Sequence, residues 1–289
     1  MVQSVKSKKS LSSASLLHKK IVEAIRTARP IFGNSNDKGG VGKTTVTAHE
    51  AWYLASLGLK VLVIDFDKHI TKMFFENVIP DLSEFARASD LFSDEGITKP
   101  IYEMPNHPNI WLLPAEHEMK GIDSRPMSDG IVVYPYFHLQ SLRDDFDVIV
   151  IDTPPGEGNR QQAGLLACTH AVLVTEMGGL SIGGVGDAIS ITNELIDNIN
   201  ANNPGQNMTK PSYIVIPNKF NSRRSRHKDY LAQLKQLDVN LTPCINDRET
   251  FGISTDTAIP VWKFDDGNAR LAAKEVKNVL NHIFLGVAQ

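Results

Sequence analysis

Long apolar runs and a cysteine framework are both missing from this sequence. No stretch approaches the roughly 18 apolar residues that a bilayer-spanning helix requires, so a helical membrane protein is not expected. The N-terminus is rich in lysine and serine and lacks the continuous apolar segment of a secretion signal, which makes a cytoplasmic location the expectation. The only two cysteines, Cys168 and Cys244, lie far apart and outside any CxxC spacing. That spacing argues against a zinc or iron-sulfur centre and for two reduced thiols. A large charge excess is lacking too, since 30 basic and 33 acidic residues leave a net charge of -3.

The near balance hides an asymmetry. Residues 1–30 carry Lys6, Lys8, Lys9, Lys19, Lys20, Arg26 and Arg29 against Glu23 alone. Residues 219–235 carry Lys219, Arg223, Arg224, Arg226, Lys228 and Lys235 against Asp229 alone. The rest of the chain is therefore acidic, and local basic patches on an acidic body suit a polyanionic partner. A hydrophobic fraction of 42% and a charged fraction of 22% are those of a globular chain. At 289 residues one large domain is the simplest reading.

Periodicity organises that domain. Residues 1–29 read as a basic N-terminal extension with Leu17, Ile21, Ala24 and Ile25 at helical spacing. The folded domain is expected over 30–289. Residues 31–35 predict a strand, 44–57 a helix closed by Gly58, and Val61-Leu62-Val63-Ile64 a buried strand ending in acids. Residues 109–114, 147–152, 171–175 and 212–216 predict further strands, and 184–199 a helix. A helical insertion is expected within 68–108. The last helix, 268–285, is expected to turn Leu271, Val276, Val279, Leu280 and Ile283 inward. Strands alternating with helices predict an α/β fold whose mostly parallel, twisted sheet is flanked by helices on both faces, with ligands at the strand C-terminal ends.

The chemistry-bearing residues fall at those ends. Lys38-Gly39-Gly40-Val41-Gly42-Lys43-Thr44-Thr45 follows the first strand and opens a helix. A polyphosphate needs many N–H donors converging on it, and glycines allow the backbone that close an approach. The helix N-terminus adds partial positive charge, Lys43 reaches the outer phosphates, and the Thr44 hydroxyl suits Mg2+. Asp37 stands where the usual P-loop pattern has its first glycine, and Lys38 adds a second lysine. Gly178-Gly179-Leu180-Ser181-Ile182-Gly183-Gly184-Val185-Gly186 lacks a Lys-Thr pair and reads as a turn before a helix rather than a second nucleotide loop.

The octet from Lys38 to Thr45 resembles that of the ParA/MinD group of deviant Walker A, P-loop NTPases. The resemblance implies ATP and ADP as ligands with Mg2+, and a homodimer in which Lys38 crosses to the partner's nucleotide. By the same resemblance Val63-Ile64-Asp65-Phe66-Asp67 places Asp65 in support of the metal and Asp67 beside the attacking water. The family usually continues with Pro-Gln, where this chain has Lys68-His69. Val150-Ile151-Asp152-Thr153-Pro154-Pro155-Gly156 is similar to the family's Walker B strand, so Asp152 is expected to hold magnesium through water. Asn218 matches a position that reads adenine.

The tail from Ile259 to Val276 and the segment from Asn221 to His227 are similar to plasmid partition ATPases, especially of the IncC type. That likeness implies a nucleoid-associated protein that binds nonspecific DNA and acts with a ParB-type centromere-binding partner. Arg223, Arg224, Arg226, Lys228, Lys274 and Lys277 are the DNA-contact candidates, since nonspecific binding rests on phosphate neutralisation. The alternative is a MinD-like ATPase that meets a membrane through its last helix.

Overall fold

The computed structural model describes residues 13–203, 205, 207–237 and 239–287. Residues 1–12 of the basic extension, with Lys6, Lys8 and Lys9, lie outside them. The elements follow in chain order as α1 (Ser13–Ala28), β1 (Ile31–Ser35), α2 (Lys43–Ser56), β2 (Val61–Asp65), α3 (His69–Phe74), β3 (Tyr102–Glu103), β4 (Ile110–Leu113), α4 (Met119–Ile122) and α5 (Tyr134–Leu142). Then come β5 (Val148–Asp152), α6 (Asn159–Ala167), β6 (His170–Glu176), α7 (Gly179–Asn202), β7 (Ser212–Asn218), α8 (Ser225–Leu234), β8 (Asn240–Leu241), α9 (Glu249–Thr257) and α10 (Gly267–Gly286).

The strands form one sheet in the order β3-β4-β2-β5-β1-β6-β7-β8. Every pairing is parallel except that of β3 with β4. Successive residues of a strand point to opposite faces, and these strands are apolar on both. Phe32, Val61, Val63, Val148, Val150, Val172, Val174, Ile214 and Ile216 pack on one face, against helices that include α2 and α10. Ile31, Leu62, Ile64, Ile149, Ile151, Leu173 and Val215 pack on the other, against α4 to α8. The sheet is the doubly covered, mostly parallel one that the pattern predicts, and its central strands bring the ends of β1, β2 and β5 together.

Four details differ from the sequence reading. The glycine-rich stretch from residue 178 is not a turn, because α7 already begins at Gly179. Gly184 of this helix runs beside the phosphate loop, where a Cβ would stand in ordinary contact with the Asp37 carboxylate at 3.4 Å. The expected insertion within 68–108 reduces to the short α3, a single 3-10 turn over Ala88–Phe92, and β3. Leu271 is exposed rather than inward, since it lies about 100° around the helix from the buried stripe of Ala272, Val276, Val279, Leu280 and Ile283. Finally, α1 packs on the body of the domain: Ile21 and Ile25 are fully buried with residues of α10, so core contacts cross residue 29.

Candidate functional site

The loop from Asn36 to Gly42 links β1 to α2, and its backbone explains its composition. Gly40 and Gly42 have φ of +76° and +103°, in the left-handed region where a side chain is strained. At Gly42 a Cβ would also sit 2.4 Å from Asn218 Nδ2. That amide donates to the Val41 carbonyl at 2.7 Å, stitching the end of β7 to the loop. The next residue, Lys219, donates to the Gly40 carbonyl at 2.7 Å. The Asp37 carbonyl accepts from Gly156 N–H, and Gln161 donates to the Asp37 carboxylate, so the loop is also tied to the turn after β5.

Lys43, at the start of α2, is buried. Its ammonium donates back to the Asn36 carbonyl at 3.1 Å and the Lys38 carbonyl at 3.4 Å. Burial pulls its pKa down, against the attraction of Asp152 and Asp67. The Lys38 ammonium is half exposed and paired in its own chain with Glu176 at the end of β6. The other oxygen of Glu176 takes Lys219 at 2.8 Å.

Register brings the acids together: Asp65 at the end of β2 is level with Asp152 at the end of β5. Both are fully buried. Burial pushes Asp65 up to about 6 and Asp152 up to about 7, each helped by a neighbouring carboxylate. Thr44 donates to Asp152 at 2.7 Å, and Thr47 donates to its other oxygen at 3.3 Å. Asp65 differs, because its two oxygens accept the backbone N–H groups of Asp67 and Thr71 at 2.8 Å each. No cluster of three or more His, Cys, Asp or Glu side chains suited to a metal occurs among the described residues. The set present fits a hard cation that keeps most of its waters: the Thr44 hydroxyl and Asp152 are oxygen donors side by side, and Asp65 stands behind them as a second-rank acid.

Asp67 is mostly buried, and His69 Nδ1 donates to its Oδ2 at 2.5 Å. Burial alone would raise the Asp67 pKa, but the hydrogen bond and charge of His69 outweigh it and hold the carboxyl low. The same bond raises His69.

Two cavities meet over the loop and share Gly40, Gly42, Thr45, Thr255 and Asp256. One, of about 560 Å³, carries the polar groups Lys43, Thr44, Asp67 and His69. The other, of about 450 Å³, combines apolar walls from Val46, Ile245, Phe251 and Val276 with polar side chains that include Asn218, Lys219, Arg248 and Glu249. A charged half joined to a half with apolar walls and hydrogen-bonding side chains suits a phosphorylated nucleoside.

All the predicted loop residues and the three acids converge here. The sequence reading missed Glu176 and Lys219, although both sit at strand ends where ligands gather. It also missed α9, whose Phe251 and Thr255 wall the cavities. The basic candidates do not form one group. Arg223, Arg224 and Arg226 are exposed and line an open cleft of about 610 Å³ with Gly178 and Tyr230, at the start of α7. Lys228 is exposed nearby on α8. Lys274 and Lys277 are on α10, across the sheet; Lys274 is exposed, while the Lys277 ammonium stands 5.2 Å over the Trp262 ring.

A family model described as an AAA domain matches residues 31–203, well over half of the chain. Protein IncC of Escherichia coli is 28% identical over 251 residues, which cover 86% of this chain and 66% of that protein. The chain thus spans about two thirds of the length of this relative. Among solved structures, a variant of McdA from Cyanothece in complex with ATP superimposes with a TM-score of 0.71 at 19% identity, covering 89% of this chain and 96% of that one. A plasmid partition protein from Borrelia burgdorferi gives 0.66 at 23% identity, covering 89% and 97%. At such identities the structural likeness speaks for the fold.

Proposed function

Because the chain belongs to the AAA-domain family of P-loop ATPases that includes the ParA and MinD proteins, we propose that it is a DNA-partition ATPase. In this reading it binds ATP with Mg2+, closes as a sandwich homodimer, holds nonspecific DNA, and hydrolyses ATP slowly under stimulation by a ParB-type partner. One observation carries the proposal: a glycine loop with left-handed turns at Gly40 and Gly42 lies between a charged cavity and one with apolar walls from Val46, Ile245, Phe251 and Val276.

The triphosphate lies along the loop, where backbone N–H groups and the α2 N-terminus meet its charge. Lys43 leaves the carbonyls of Asn36 and Lys38 for the outer phosphates, a favourable exchange for an ammonium now bonded only to neutral oxygens. Thr44 and Asp152 would hold Mg2+, with Asp65 behind them, and the chemistry supplied there would be neutralisation of the phosphate charge. Asp67 orients the water that attacks the γ phosphate, since phosphoryl transfer depends mainly on positioning and charge stabilisation. The cavity walled by Val46, Ile245, Phe251 and Val276 takes the base. For the sandwich to form, Lys38 must exchange Glu176 for the partner's phosphates, one anion for another.

Arg223, Arg224 and Arg226 support the DNA reading, as they gather on one cleft without an ion-pair partner among the described residues. The membrane alternative draws no support from α10, because Val279, Leu280, Ile283 and Phe284 are spent in the core.

Calorimetry of the purified chain with ATP and Mg2+ tests the central point. A heat of binding that disappears in Lys43→Ala is expected, and no heat in the wild type defeats the proposal. Nonspecific duplex retained only with ATP, with a shallower salt dependence once the three arginines are neutralised, is the expected DNA result.

A further inference from the structure

Asp67 and His69 are separated by one residue at the junction of β2 and α3, where the family pattern has no histidine. The chain folds the imidazole back so that Nδ1 meets Asp67 Oδ2 at 2.5 Å. Resting on the reading of Asp67 as the acid beside the attacking water, we propose that His69 is a positioning residue, whose Nδ1–H fixes Oδ2 and reserves Oδ1 for that water.

Three observations carry this. First, His69 and Asp67 both line the polar cavity with Lys43 and Thr44, so the bond is made in the wall of the cavity proposed to take the phosphates. Second, packing does not account for the histidine. Its side chain is 58% exposed while that of Asp67 is 14% exposed, so the imidazole secures a buried group from the solvent side. Third, Oδ1 of Asp67 accepts no hydrogen bond among the described residues, whereas the oxygens of Asp65 and Asp152 are all taken.

A carboxylate on an aspartate turns readily about its last torsion, and its two oxygens exchange places. Asp67 and the Lys43 ammonium also attract each other, and an Asp67 that swung toward Lys43 would take from the phosphates the cation they need. A donor at Oδ2 on the side of α3 opposes that swing. Errors of this size in a reacting geometry are costly, on the order of 100-fold for about 1 Å.

The test compares His69→Ala, His69→Asn and His69→Gln with Asp67→Asn, in the full chain with ATP and Mg2+. The asparagine amide places a donor near the site of Nδ1, whereas the glutamine amide reaches further, toward the site of Nε2. We expect kcat to fall roughly 10- to 100-fold in His69→Ala and His69→Gln. It should recover at least in part in His69→Asn, with calorimetric ATP affinity and the thermal midpoint unchanged in all three. Wild-type kcat in His69→Ala, or no recovery in His69→Asn relative to His69→Gln, overturns the proposal. Loss of ATP affinity in step with kcat overturns it too, by making His69 a nucleotide contact. Asp67→Asn separates the two readings: if it keeps turnover, the role of Asp67 itself fails. If it loses turnover while His69→Ala does not, only the role of His69 fails.

Discussion

On the proposed reading, Asn218 has two duties, one for each end of its amide. Its Nδ2 is committed to the Val41 carbonyl, which leaves Oδ1 as the acceptor for a base in the adjoining cavity. An adenine amine satisfies an acceptor there, whereas a guanine carbonyl sets oxygen against oxygen. Discrimination by one such contact is worth on the order of 1–2 kcal/mol, or roughly 10-fold in affinity. Asn218→Ala should therefore lower the ratio of ATP to GTP affinity by about 10-fold. It should also weaken both nucleotides, because the loop loses its tie to β7. Competition of each nucleotide against a fluorescent analogue measures the ratio; a ratio equal to that of the wild type would remove Asn218 from base selection. At this scale much was legible in the sequence. The octet from Lys38 to Thr45 and the acids at strand ends announce themselves, since glycines and buried carboxylates have few other reasons to occur there. Glu176 and Lys219 do not, because a salt bridge 43 residues apart in sequence leaves no local pattern.

At the scale of elements, the long buried strands were the easiest to read. Val61 to Ile64 and Val148 to Ile151 are continuous apolar runs bounded by charge, and each became a strand in the sheet centre. What escaped were elements whose stability comes from their neighbours. The helix α9 has only Thr250 and Ser254 fully buried, so it shows no apolar stripe. The start of α7 is rich in glycine, which favours loops by about 1 kcal/mol per residue relative to alanine, yet the helix is held by Val185 and Ile196 in the core. The helix α1 poses the sharpest question, because composition marks it as an appendage while Ile21 and Ile25 are wholly buried. Truncating a core isoleucine to alanine costs about 2–5 kcal/mol. Ile25→Ala should therefore lower the unfolding free energy of the entire cooperative urea transition by an amount in that range. A separate low-stability transition, with the main one unmoved, would make α1 an independent appendage.

For the molecule as a whole, the helix under the loop holds two adjacent titrating groups that bias stability in opposite directions. His49 is fully buried, and burial depresses its pKa to about 4 from the ordinary 6.5, the hydrogen bond to the Thr45 carbonyl opposing this only in part. The unfolded chain therefore binds the proton first. The contribution of neutral His49 is present above pH 6.5 and is lost as pH falls toward 4. Glu50 is raised by burial from 4.5 to about 8, despite accepting from Asn34 at 2.6 Å, and its Oε1 is buried with no hydrogen-bond partner among the described residues. Here the folded chain binds the proton more tightly, so its contribution is present below pH 4.5 and is lost as pH rises through 8. Other buried acids titrate in the same range, so the informative quantity is the wild type minus a variant, in which their contributions cancel to first order. In nucleotide-free protein, the stability of wild type relative to Glu50→Gln should decline from pH 5 to 8, by an amount on the order of 3 kcal/mol. Glutamine keeps an acceptor for Asn34 and cannot ionise. Relative to His49→Gln the wild type should instead gain as pH rises from 4 to 6.5. Urea unfolding at a series of pH values gives both differences. Two flat profiles would mean that water reaches this helix, and that the floor of the site is not the dry one its fully buried side chains describe.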